Sequence, residues 1–111
     1  MSTEEIISIR DFKRLDIRIG TIKQVEPILG SNKLFRIQID MGDHTRQIIS
    51  GIAEYYTCEE LVGLQIAVLC NLKPAKIFGN DSDGMLLASE SEANLALLTV
   101  EREISNGAKV T

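Results

Sequence analysis

Residues 35–41 constrain the fold more than any other stretch: Phe35, Ile37, Ile39 and Met41 alternate with Arg36, Gln38 and Asp40. A period of two puts every second side chain on the same face, as a strand lying over a core requires and a helix cannot use. Gly42-Asp43-His44 then supplies turn chemistry, and Thr45–Ser50, closed by Gly51, reads as the returning strand of a hairpin. Upstream, Leu15, Ile17 and Ile19 alternate with Asp16 and Arg18, but the phase changes at Gly20, ahead of Ile22 and Val25. A glycine at a phase break predicts a bulge or sharp bend, as found where a strand curls around a small barrel. Pro27 and Gly30-Ser31-Asn32 end this segment in a loop.

After Gly51, residues 53–63 suit one or two helical turns, and 65–72 form a nearly continuous apolar run of strand length. Residues 74–84 hold a proline, two glycines and several polar turn formers, and are expected to be the longest loop. Met85–Glu90 and Leu95–Val100 read as two further short strands. Three curled strands, a short helix and then more strands is the order of an OB-fold, an all-β, five-stranded Greek-key barrel. Here the short helix falls between strands 3 and 4, and extra strands follow at the C-terminal end. With 111 residues the chain is sized for one domain, taken as residues 10–111 behind a short N-terminal extension, 1–9. Unpaired strand material after residue 90 is an edge liability, which a homodimer contact would cover.

No run approaches the roughly 18 apolar residues of a membrane span, so no membrane association is expected. The start Met1-Ser2-Thr3-Glu4-Glu5 is acidic, unlike a secretory signal, and Cys58 and Cys70 stand in no metal spacing. A reduced, cytoplasmic protein is expected. The net charge of −4 conceals an asymmetry. Residues 12–50 hold seven Lys/Arg against four acids, whereas 51–111 hold four against nine. In the expected fold, Lys33 and Arg36 border the first loop, Arg46 lies on strand 3, and Lys73 and Lys76 flank the fourth loop. Five cations on one face suit phosphates; the bland alternative is a set of solvated surface charges.

Other constellations carry less. Asp81, Asp83, Gly84 and Glu90 fit part of a calcium loop, but Gly79 occupies its first ligand position and the flanks read as strands. His44 is the only histidine, and Ser50 has no nucleophile elbow around it. With no tryptophan and five aromatics, stacking on single strands has little support, and Tyr55 and Tyr56 read as core or interface. No catalytic residues, metal or cofactor are expected.

Four segments resemble motifs of the tRNA-binding domain family: Asp16-Ile17-Arg18-Ile19-Gly20, Ser50-Gly51-Ile52-Ala53, Asn71-Leu72-Lys73-Pro74 with Lys76, and Ser82-Asp83-Gly84-Met85-Leu86-Leu87. The resemblance spans residues 10–111. The family includes free-standing structure-specific tRNA-binding proteins, the C-terminal domain or separate beta subunit of methionyl-tRNA synthetases, and cytokine-like multisynthetase factors. It implies an OB-fold with added strands, assembled as a homodimer that grips the outer corner of the L-shaped tRNA. Carried over residue by residue, it implies tRNA contacts at Lys33, Arg36, Arg46, Asn71, Lys73, Lys76, Ser82 and Met85. Lys and Arg would neutralise phosphates, Ser82 and Asn71 would bond sugar or phosphate oxygens, and Met85 would lie on a base or sugar or else fill the core. The chain departs from the family at Glu26-Pro27, where His-Pro is common, at Ala75, where arginine is common, and at Ile77-Phe78. The synthetase signatures HIGH and KMSKS are absent, so the expected role is auxiliary: tRNA binding alone or beside methionyl-tRNA synthetase. The alternative is a peptide-binding export chaperone of the same fold, which a large apolar groove would favour.

Overall fold

A computed structural model describes residues 5–111 of the chain; residues 1–4 of the expected N-terminal extension, most of the acidic start, lie outside the described residues. The architecture is the expected all-β one, built on a curled antiparallel sheet of five strands. In sheet order these are β3 (Thr45–Ser50), β2 (Phe35–Asp40), β1 (Ile17–Pro27), β4 (Gln65–Leu69) and a two-residue β7 (Met85–Leu86).

Curling comes from β1. Its first half pairs with β4, from Ile17↔Leu69 to Thr21↔Gln65, and its second half pairs with β2, from Thr21↔Asp40 to Pro27↔Phe35. One strand shared end to end by two neighbours cannot stay flat. The register slips between Ile22 and Gln24, so the bulge lies at Lys23 rather than at Gly20, where the phase change pointed. Gly20 has a different task. A Cβ there would stand 2.6 Å from Ile39 Cγ2 and 2.6 Å from Met41 Sδ, so only a bare backbone lets β1 cross this close to β2. The apparent phase break arises because both faces of β1 are covered. Ile22 and Val25 face the barrel core, while Ile17 and Ile19 join Ala67 in a second cluster beneath Phe12, Leu87, Val100 and Val110.

The main core lies inside the barrel, with Phe35, Ile37 and Ile39 of β2 meeting Ile48, Ile66, Val68 and Leu86. The expected helical segment is a single turn, α2 (Cys58–Leu61), held by a reciprocal cap between Thr57 and Glu60. It places fully buried Leu61 into the core. Tyr56 packs against the same core, and its hydroxyl accepts from the Leu97 N–H at 3.1 Å.

Three hydrogen bonds close the barrel between β3 and the chain entering β7. The Asp83 N–H donates to the Gln47 carbonyl at 2.9 Å, the Gln47 amide donates to the Asp81 carbonyl at 2.8 Å, and the Ile49 N–H donates to Ser82 Oγ at 3.0 Å.

Residues 74–84, expected to be loop, instead form a hairpin arm of β5 (Ala75–Ile77) and β6 (Asn80–Ser82) with a two-residue tip, Phe78-Gly79. The run Met85–Glu90 is likewise divided between β7 and β8 (Ala88–Ser91), and β8 pairs with β9 (Asn94–Leu97), a shorter strand than Leu95–Val100. The extra C-terminal material finds partners within the chain. Val110 and Gly107 donate to the Ile17 and Ile19 carbonyls at 2.8 and 2.7 Å, covering the β1 edge that β2 leaves free. That edge therefore needs no second subunit to protect it. A single turn, α1 (Ile9–Phe12), capped by Ser8, brings Phe12 onto the second cluster.

Candidate nucleic-acid interface

The eight residues singled out by sequence fall into three groups. Lys33, Lys73 and Lys76 are exposed. Lys33 sits on the β1–β2 loop, Lys73 leads into the arm, and Lys76 stands on β5 opposite Asp81, with Nζ 3.4 Å from its carboxylate. That pair is exposed on both sides and weakly coupled. Among the described residues, Lys33 and Lys73 have no carboxylate within 4.0 Å. Loop and arm touch: a Cβ on Gly30 would lie 3.3 Å from the Phe78 ring. The β1–β2 loop and the tip of the arm are therefore neighbours.

Arg36 and Arg46 are engaged internally. Arg36 donates to Glu26 at 3.2 Å and to the Asn80 side chain at 3.1 Å, binding the sheet to the arm. Arg46, with its side chain 17% exposed, reaches Asp83 Oδ1 at 3.1 Å, the Cys70 carbonyl at 3.1 Å and His44 Nε2 at 3.1 Å. Both guanidiniums still reach the surface, but a phosphate would have to share them with these partners.

Asn71 and Ser82 are both engaged within the fold, Asn71 at an exposed position and Ser82 at a buried one. Asn71 accepts from the Asp16 N–H at 2.9 Å and donates to the Arg14 carbonyl at 2.7 Å, so its amide pins the entry to β1. Ser82 is only 4% exposed and spends its oxygen on Ile49, because closing the barrel leaves that N–H without a ladder partner. Both therefore help to hold the fold together, Asn71 from a position that solvent still reaches. Gly84, two residues on, has φ of +113° and would set a Cβ 2.8 Å from the Leu69 carbonyl. Met85 follows at 44% exposure on the open side of β7, outside the barrel core.

A cleft of about 510 Å³ opens beside Arg46, lined also by Asp16, Arg18, Asp43 and His44. Its charges are compensated: Arg18 pairs with Asp16 at 2.8 Å, and a hydrogen bond to His44 at 2.5 Å holds the Asp43 carboxyl below the usual carboxylate range. An apolar groove of about 450 Å³ lies on another face, between α1 and the C-terminal residues, lined by Ile9, Phe12, Leu15 and Val110.

Sequence reasoning missed Phe78, 59% exposed at the arm tip, and Leu29, 97% exposed on the loop beside it. The available signal was Phe-Gly standing between two short runs, where a two-residue hairpin turn fits.

The geometry can be set beside known proteins. Residues 17–109 match the family model described as "Putative tRNA binding domain". A methionine–tRNA ligase of Archaeoglobus fulgidus is 52% identical over 110 residues, which are 99% of this chain and 17% of that enzyme. The chain thus spans about one sixth of the length of the curated relatives it matches. Among solved structures, a protein related to methionyl-tRNA synthetase from Pyrococcus horikoshii superposes with a TM-score of 0.92 at 34% identity, covering 97% of this chain and all of that one. The chaperone CsaA of Bacillus anthracis superposes with a TM-score of 0.87 at 31% identity, covering 96% of this chain and all of that one.

Proposed function

The chain belongs to the tRNA-binding domain family, and from that premise we propose that it is a non-catalytic module recognising the outer corner of folded tRNA. It acts alone or as a part of, or partner to, a methionyl-tRNA synthetase in the cytoplasm, and raises the local tRNA concentration as a linked second site does. The observation that carries this reading is the rim shared by the β1–β2 loop and the arm. Lys33 is exposed on the loop, Lys76 on the arm and Lys73 on the segment leading into it, with little or no internal compensation, and Met85 lies exposed on the same barrel. Lysines on separate, rigidly tied segments suit phosphates at fixed spacing, so recognition depends on shape more than on base identity. Arg36 and Arg46 contribute from behind as fixed charges. The apolar groove beside α1 supports a homodimer, with Ile9, Phe12 and Val110 at its contact.

Binding of the purified protein to folded tRNA, measured at several salt concentrations beside an unstructured RNA of equal length, tests the reading. Tight binding to the folded RNA alone is expected, with a log-log salt slope that shrinks by about 1 in Lys33→Ala. Equal binding of both RNAs would reduce the rim to a generic cation patch, and no binding at low salt would sink the proposal.

The likeness to CsaA supports a second reading, a peptide-binding chaperone using the groove between α1 and the C-terminal residues. Suppressed aggregation of an unfolded client, lost in a variant of the exposed groove residue Ile9, Ile9→Asp, while tRNA binding persists, would favour it.

A further inference from the structure

The arm tip turns through two residues with positive φ, Phe78 at +54° and Gly79 at +80°, between paired Ile77 and Asn80. Such a turn is the type that takes Asn-Gly or Gly-Gly, because a side chain with φ above zero meets its own backbone. A bulky aromatic at its first position is a costly choice for the turn, and here the ring is mostly in water, so core packing does not repay it. The conformation is held from outside. The Asn80 amide donates to the Phe78 carbonyl at 2.9 Å, Arg36 donates to Asn80, and Glu26 fixes Arg36. One edge of the ring lies against Gly30, which steadies it without covering it. A strained, pre-organised, exposed aromatic therefore stands where the arm, which carries Lys76, meets the β1–β2 loop, which carries Lys33 and the exposed Leu29.

We propose that Phe78 is a base-stacking residue, receiving an unstacked nucleobase of the bound tRNA while the lysines hold the flanking phosphates. RNA recognition relies on bases splayed from loops and laid on aromatic faces, and the two segments that meet at this ring carry Lys76 and Lys33, whose charge suits the phosphates that accompany such a base. The inference rests on the tRNA-binding reading and adds to it a contact with a base.

Two variants of the full chain test it. Phe78→Asn gives the turn a residue it prefers, so its Tm should hold or rise while tRNA binding weakens by roughly 5- to 150-fold. Its salt slope should match that of the unaltered protein, since no charge is lost, in contrast to Lys33→Ala. Phe78→Trp puts the only tryptophan into the chain, and its emission should be quenched on adding tRNA, with affinity retained. If the unaltered protein binds tRNA, while Phe78→Asn binds equally well or the Phe78→Trp emission does not respond, the stacking role is overturned and the tRNA-binding reading stands. Failure of the unaltered protein to bind tRNA would overturn both.

Discussion

Arg46 and Asp83 are joined across the seam of the barrel, Nη1 to Oδ1 at 3.1 Å, and the same Nη1 reaches the Cys70 carbonyl at 3.1 Å. Three segments far apart in sequence meet at this guanidinium: β3, the end of β4 and the turn into β7. Arg46→Ala should therefore lower stability by about 1–2 kcal/mol, read from urea unfolding, because a charge-assisted bond to the part-buried Cys70 carbonyl is lost together with weaker, solvent-screened ones to Asp83 and His44. Arg46→Lys should recover little of it, since an ammonium lacks the planar fork that spans these acceptors. A variant as stable as the parent would show that the seam holds without the arginine.

Ser82 closes the same seam from the other side. Ser82→Ala removes the acceptor of the Ile49 N–H in a buried position and should cost about 1–3 kcal/mol. Measured where the variant is still folded, its tRNA affinity should equal that of the parent. A weakened complex with unchanged stability would show that Ser82 also contacts the RNA.

These two residues show what was legible in the sequence. The alternation of Phe35–Asp40 specified β2 outright, because one of its faces is buried and the other only half-buried, and the turn at Gly42–His44 then specified β3, in which neighbouring Ile48 and Ile49 are both buried and break the alternation. β1 was harder to read. Its two halves are buried on opposite faces, so Ile17 and Ile19 appeal to one cluster and Ile22 and Val25 to the other, which mimics a break at Gly20. The arm was hidden because its β5 side chains are exposed and carry no period. Of the candidate site, Lys33 and Lys73 were legible as exposed charges, and Lys76 as one whose pairing with Asp81 only the arm's hairpin reveals. The roles of Asn71 and Ser82 were not, because their partners, Asp16 with Arg14 and Ile49, lie 55, 57 and 33 residues away. Motifs that suggested RNA contact hold in part because they close the barrel.

Gly20 provides a test of packing. Adding one methyl at the β1–β2 crossing drives it into Ile39 Cγ2 and to 3.0 Å from the Asp40 carbonyl, neither of which is the free end of a flexible chain. Gly20→Ala should destabilise the protein by about 1–3 kcal/mol, as overpacked cores do. The rim lysines lie elsewhere, so tRNA binding by the folded fraction should be unaltered. Unchanged stability would mean that β1 and β2 can part by several tenths of an ångström.

Cys70 ties stability to pH. Burial is the main cause that pushes its thiol above the usual range, against a smaller opposing effect of Arg46. The folded chain therefore keeps this proton at a pH where the unfolded chain has released it. By linkage, the contribution is fully present below the unfolded thiol's value, about 8.5, and is lost as pH rises from there through the folded value. Urea midpoints at pH 7 and pH 9.5 should show it. Cys70→Ala should be less stable than the parent at pH 7, for lack of a buried sulfur, and the gap should narrow at the higher pH because alanine has no proton to lose. Alkylation should agree: half-buried Cys58 should react before buried Cys70 in the native protein, and both should react at similar rates in urea. A gap that stays constant with pH would mean that the Cys70 thiol titrates as freely folded as unfolded, and the packing of Val68, Cys70 and Leu86 around it would have to be looser than the closed barrel implies.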